Sequence, residues 1–239
     1  MSIIDVVKNK LEEYAEPDRV EKVSGYFQSY SGGYGEGDVF LGIRVPNQRK
    51  VARKYYQKVT LDEIEKLLND KIHEYRLTAL FLLINKYEKV DADDEIKNIV
   101  DLYLKNISQV NNWDLVDSSA PQILGPYFLK RNKELLYDFV DSGDLWKQRI
   151  AIMTTFYFIK NESYADTLNM VESCLDYEHD LIHKACGWML REIGKRDFET
   201  EYDFLAKYYQ DMPRTMLRYA IEKFEEELRQ QFLQGEISM

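Results

Sequence analysis

The chain contains no apolar run approaching the roughly 18 residues that a membrane span requires. Its longest, Leu77 to Asn85, has the length of a helix core. The first twenty residues, MSIIDVVKNKLEEYAEPDRV, meet acidic side chains early and lack the basic-then-apolar order of a signal peptide. Cysteine is nearly missing: Cys174 and Cys186 stand in helical pattern and form no CxxC. These absences point to a reduced, cytoplasmic setting without membrane attachment, with both thiols as core fillers. Strand-like alternation is scarce, which speaks against a sheet. An excess of positive charge is missing too. The 239 residues carry a formal charge of −10, so the average composition argues against a nucleic-acid binder, although an average says nothing of layout. What is present is apolar material, 45% of the residues beside 31% charged, enough for a core and too much for wholesale disorder.

Helix signals dominate from residue 60 onward. Thr60 and Glu63 have the spacing of a capping box, and Asp70 leads into IHEYRLTALFLLINKY. The spacing predicts helix pairs: 60–70 with 72–88, 92–105 with 112–124, 133–141 with 145–160, 163–175 with 180–194, and 199–210 with 213–230. The second members align through Arg76, Trp113, Arg149, Lys184 and Arg218, whose separations fall from 37 to 34 residues. A two-helix unit at that period predicts an all-α, HEAT-like repeat α-solenoid, with an irregular helical bundle as the plainer alternative. Residues 1–239 then form a single repeat domain: N-terminal helices near 4–15 and 17–30 and a basic segment up to residue 59, tandem helix pairs over 60–230, and a tail over 231–239.

Charge is distributed unevenly over this pattern. The first-helix segments 60–71, 90–105, 132–144, 161–180 and 198–211 together carry −17. The second-helix segments 72–89, 106–131, 145–160, 181–197 and 212–223 carry +8. The acidic average thus hides a basic layer, and second helices that line the inside of a solenoid would give a basic concave groove suited to a polyanion. The segment LGIRVPNQRKVARKYYQKV adds Arg44, Arg49, Lys50, Arg53, Lys54 and Lys58, candidates for phosphate contact.

Asp117 follows Trp113 by four residues, and Trp188 follows Lys184 by four. In the repeat register Trp113, Asp117, Arg149 and Trp188 are expected to face one cleft. Taken singly, each tryptophan reads as core and Asp117 as a capping or salt-bridging residue; their coincidence in register points to a site. Asp114 lies about 60° from Asp117 around the helix and is expected to face elsewhere. His179 and His183 stand at i, i+4 without a third ligand or an HExxH pattern, so neither a metal nor an organic cofactor is expected. The glycine-rich SGGYGEGD has no P-loop lysine and reads as a flexible connector.

The segments LGIRVPNQRKVAR, NNWDLVDSSAP, LWKQRIAIM and HKACGWMLREIGK resemble motifs of the bacterial DNA alkylation repair glycosylases of the AlkD type, over about residues 20–228. The resemblance implies a HEAT-like enzyme that excises alkylated purines from double-stranded DNA. In it Asp117 would be the catalytic carboxylate, Trp113 and Trp188 the cleft aromatics, and Arg149 a backbone contact. Lys184, Arg191 and Arg218 would join Arg44, Arg49, Lys50 and Arg53 on DNA, with the protein acting as a monomer. A non-catalytic DNA-structure binder and a helical-repeat scaffold for protein partners remain open on the same pattern.

Overall fold

The structure is a computed structural model that describes residues 2–237; residues 238 and 239 of the expected tail lie outside the described residues. The described residues form α-helices, short 3-10 turns and no strand, with one isolated bridge between Val39 and Ile72. They divide into two compact units that meet at Ser119 and Ala120.

The first unit contains α1 (Ile3–Glu12), α2 (Val20–Tyr26), α3 (Val45–Tyr55), α4 (Leu61–Leu68), α5 (His73–Tyr87), α6 (Asp93–Lys105) and the start of α7 (Trp113–Phe128). Hydrogen-bonding side chains set the starts of several of these. Ser2 and Asp5 close a reciprocal capping box on α1, and Thr60 and Glu63 close the expected one on α4. Helices α1 and α6 pack on α4, while α3 and α6 pack on α5. Every residue of α5 from His73 to Ile84 is buried, and a helix apolar on all sides belongs inside a core. Tyr75, Phe81, Leu80, Leu82 and Tyr103 are among its largest fully enclosed side chains.

The second unit contains the rest of α7, α8 (Glu134–Val140), α9 (Leu145–Lys160), α10 (Ala165–Ser173), α11 (Asp180–Gly194), α12 (Phe198–Tyr208), α13 (Arg214–Ala220) and α14 (Glu226–Gln234). Asp144 caps α9 by accepting from the Trp146 and Lys147 amides at 3.0 Å, and Asp197 caps α12 in the same way. Helix α11 packs between α9 and α13, the stacking of second helices on second helices that the repeat predicts, and the first helices α8 and α10 touch each other as well. Both cysteines are buried and free.

Two boundaries differ from expectation. The helix expected over 17–30 is a 3-10 turn at Pro17–Arg19 followed by α2, which ends at Tyr26. The helix expected over 213–230 breaks after Ala220 into a 3-10 turn, and extended backbone at Phe224 separates it from α14. No described helix is long and apolar enough to cross a membrane.

Candidate active site

The first turn of α5, His73-Glu74-Tyr75-Arg76, buries three ionisable polar side chains, each at most 3% exposed. Such burial is costly unless each group is paired. The partners come from the extended segment 38–43. The Glu74 carboxylate accepts the backbone N–H groups of Leu41, Gly42 and Ile43 at 2.8–3.1 Å. Asp38 accepts from the Arg76 guanidinium and from His73 Nδ1, the latter at 2.8 Å. The Val39 N–H donates to the Lys71 carbonyl, and the His73 N–H donates to the Val39 carbonyl at 2.9 Å. Gly42 makes the bend possible: its φ is +77°, and a Cβ there would come within 2.3 Å of the Glu16 carbonyl oxygen.

His73 joins this segment to α7. Its Nε2 donates to Asp114 Oδ2 at 2.8 Å while Nδ1 faces Asp38. Burial opposes a charge on the imidazole, but the charge and hydrogen bond of Asp114, then those of Asp38, override it and push the pKa up to about 9. His73 is therefore an imidazolium at neutral pH, donating from both nitrogens. Burial would raise the Asp38 pKa, but the His73 bond and the Arg76 charge outweigh it and hold that carboxyl below its ordinary range. Asp38, His73, Arg76 and Asp114 balance, two carboxylates against two cations. Asp114 Oδ1 is buried without a hydrogen-bond partner.

Aromatic rings cover this network. Phe27 stacks on Phe40, His73 and Trp113, with centroids 5.0–5.5 Å apart. Tyr26 meets Trp113 edge-on at 5.5 Å, and the Trp113 indole N–H donates to the Tyr34 hydroxyl at 3.2 Å. Tyr26, Phe27, Phe40 and Trp113 border a cavity of about 390 Å³ whose lining also includes Asp114, Asp117 and Ser118 on α7 and His73 and Glu74 on α5. Asp117 adds negative charge to a cavity walled by aromatic rings, an arrangement that suits a flat cation.

The structure thus brings Trp113 and Asp117 together in the first unit. It corrects two readings. Asp114 shares the cavity with Asp117, because 60° of rotation still falls within one face of a helix. SGGYGEGD is not a free connector: Tyr34 binds Trp113, the Gly32 N–H donates to Glu36, and Asp38 anchors the buried network. Phe27, Asp38, Phe40, His73 and Glu74 carry no local motif. The available signal was HEYR, polar residues heading the helix that holds the longest apolar run in the chain.

The remaining expected residues sit as follows. Arg44 forms a two-pronged pair with Glu16 at 2.7 and 2.9 Å. Arg49, Lys50 and Arg53 are exposed on α3; the Arg49 guanidinium lies 4.0 Å from the Phe81 ring centre, and Arg49 and Arg53 border a hollow of about 210 Å³. In the second unit Trp188 is half-buried, 5.9 Å from Phe156, and donates to Glu192 at 3.2 Å. Arg149 is 5% exposed and donates to the Leu181 carbonyl. Lys184 pairs with Asp180 at 2.5 Å, Arg191 pairs with Glu222, and Arg218 is exposed. The His179 imidazole caps α11 and His183 Nε2 donates to the Tyr177 carbonyl; no group of three or more potential metal ligands occurs among the described residues.

A comparison with curated proteins finds no match. Among solved structures, the chain is similar to one described as a predicted DNA alkylation repair enzyme from Enterococcus faecalis. The TM-score is 0.66 at 16% identity, covering 89% of this chain and 97% of that one, which establishes a common fold. The family model described as DNA alkylation repair enzyme matches residues 7–224, nearly the whole chain. The chain belongs to the DNA alkylation repair enzyme family.

Proposed function

We propose that the protein is a DNA glycosylase that hydrolyses the N-glycosidic bond of cationic alkylated purines, of the 3-methyladenine and 7-methylguanine type, in duplex DNA. The observation that carries this reading is the cavity that holds Asp117 and Asp114 beside Trp113. A purine methylated at position 3 or 7 is already a cation and departs as a neutral base, so its departure calls for no general acid. The demand on the protein is to stabilise the positive charge that develops on the deoxyribose. A carboxylate can do this electrostatically and can also orient the attacking water, and we assign both tasks to Asp117. The Trp113 face attracts a cationic nucleotide by about 0.5–2 kcal/mol. Asp114, held by His73, keeps a second carboxylate oxygen at the same cavity.

Duplex contact falls in this reading to the exposed cations Arg44, Arg49, Lys50, Arg53 and Arg218 together with Lys184, in keeping with the expected basic groove. Arg44, Lys184, Arg149 and Arg191 already hold protein partners and would bind phosphate only after exchanging or sharing them. Trp188 is assigned a supporting aromatic role, to be read from the excision rate of Trp188→Ala. The experiment compares the wild type with Asp117→Asn on a methylated duplex, measuring binding and base release side by side. Binding kept and release lost supports the assignment. Equal loss of both makes Asp117 structural, and salt-sensitive binding without release by the wild type makes the protein a non-catalytic DNA binder.

A further inference from the structure

The second unit holds a buried ionisable group that the proposed chemistry does not use. Glu201, in the first turn of α12, is 2% exposed, and its Oε1 has no hydrogen-bond partner. Its carboxyl fits against α11 because residue 194 is glycine; a Cβ there would fall 1.6 Å from Glu201 Oε2. Beside it, the Arg191 guanidinium pairs with Glu222 through NH1, while its buried Nε–H lacks an acceptor. Both residues line a hollow of about 330 Å³, which is within the size range of small-ligand sites. Phe198, Phe224 and Leu228 form its apolar wall, and the Phe198 and Phe224 rings lie 5.1 Å apart. Phe198 is 48% exposed.

We propose that this hollow binds a small aromatic oxyanion, an aryl phosphate or aryl carboxylate, with its negative head on Arg191 and Glu201 and its ring against Phe198 and Phe224. The hydrogen-bonding groups favour this class. Arg191, Lys195 and Lys223 bring N–H donors to the lining against the one ionised carboxylate of Glu225; because Glu222 and Glu192 pair with these cations, selection of an anion rests on the donors and not on net charge. A bound oxyanion supplies the acceptor that Arg191 Nε lacks. It also accepts the proton of Glu201: burial raises that carboxyl to about 8 against the lowering charge of Arg191, so Glu201 is a neutral acid and a donor at neutral pH. The ring covers the exposed face of Phe198.

Glu201 ionises as pH rises through about 8, turning a donor into a negative charge that repels the ligand. The charged groups that face it are Arg191 and Lys195 from α11 and its end and Lys223 and Glu225 from the turn before α14. Glu192 and Glu222 pair with Lys195 and Lys223 at 2.5 and 2.8 Å. Binding is therefore strongest below that pH.

Titration calorimetry on the full chain tests this with three probes: benzoate, whose charge is constant above about pH 6, phenyl phosphate and inorganic phosphate. The expected result is saturable binding of benzoate and phenyl phosphate, with inorganic phosphate weaker by about tenfold or more. Benzoate affinity falls about tenfold between roughly pH 6.5 and 9.5 in the wild type. Glu201→Gln, which keeps a neutral donor, binds at neutral pH and loses that dependence. Glu201→Leu and Leu228→Trp each weaken binding about tenfold or more while far-ultraviolet circular dichroism stays native. Where Glu201→Leu does not fold, Leu228→Trp on the opposite wall carries the same test. No saturable binding of either aromatic probe at about 10 mM, inorganic phosphate binding as tightly as phenyl phosphate, or wild-type affinity in a folded Leu228→Trp each overturns the proposal.

Discussion

Replacing His73 with glutamine removes one cation from the balanced network of Asp38, His73, Arg76 and Asp114, and its effect on stability depends on pH in a calculable way. The folded-state pKa is about 9 against an ordinary value of 6.5. A raised value means that the folded protein holds the proton more tightly, so the stabilisation is fully present below pH 6.5 and is lost as pH rises through about 9. At 1.36 kcal/mol per pH unit the difference amounts to about 3 kcal/mol. Glu201 also holds its proton more tightly when folded, and it destabilises the fold between about pH 4.5 and 8. It shares no partner with His73, so its contribution cancels when the two proteins are compared. Urea unfolding followed by circular dichroism, at intervals from about pH 6 to 10, should show the wild type losing about 3 kcal/mol more than His73→Gln. Parallel stability curves for the two proteins would refute the imidazolium and with it the electrostatic account of how Asp114 is held.

The clamp on segment 38–43 gives two further expectations. Glu74→Gln replaces a buried carboxylate that accepts three backbone N–H groups, and should cost about 2–4 kcal/mol in chemical denaturation; a loss below about 0.5 kcal/mol would show the clamp to be dispensable. Gly42→Ala forces a side chain into positive φ and against the Glu16 carbonyl, and should cost about 1–3 kcal/mol by the same measurement. On the DNA side, the double change Lys50→Ala and Arg53→Ala should reduce the slope of log affinity against log salt by about 2, read by fluorescence anisotropy on an undamaged duplex. An unchanged slope would remove Lys50 and Arg53 from the duplex contact.

Much of the helical pattern was legible because its signals are local. Thr60 and Glu63 cap α4 as their spacing predicts, and the paired helices from residue 60 to residue 210 begin and end within a few residues of their expected positions. The shared register of Arg76, Arg149, Lys184 and Arg218 also holds, each lying at the fourth or fifth position of its helix, but Trp113 departs from it: it is the first residue of α7, and Asp117 takes the fifth position there. Trp113 and Asp117 were legible as a pair because i, i+4 places them on one helix face. The rest of the site was not, for a physical reason. Asp38 and Asp114 find each other only through His73, across 35 and 41 residues of sequence, and no periodicity encodes that meeting. Segment 31–38 has glycines and no repeat, so it reads as a connector, although hydrogen bonds from Tyr34 to α7 and from Asp38 to α5 hold it. The break after Ala220 was hidden for the opposite reason: the residues from 213 to 230 are mostly good helix formers, and extended backbone at Phe224 comes from tertiary packing of that ring against Phe198 and Phe232.

The most direct test of the central claim is release of 7-methylguanine from a methylated duplex under single-turnover conditions, with Asp117→Asn alongside. The account predicts release by the wild type and a rate lower by about 10²-fold or more in the variant, equivalent to about 3 kcal/mol of lost transition-state stabilisation. Wild-type release that Asp117→Asn leaves unchanged, or no release from a duplex that the wild type binds, would contradict it.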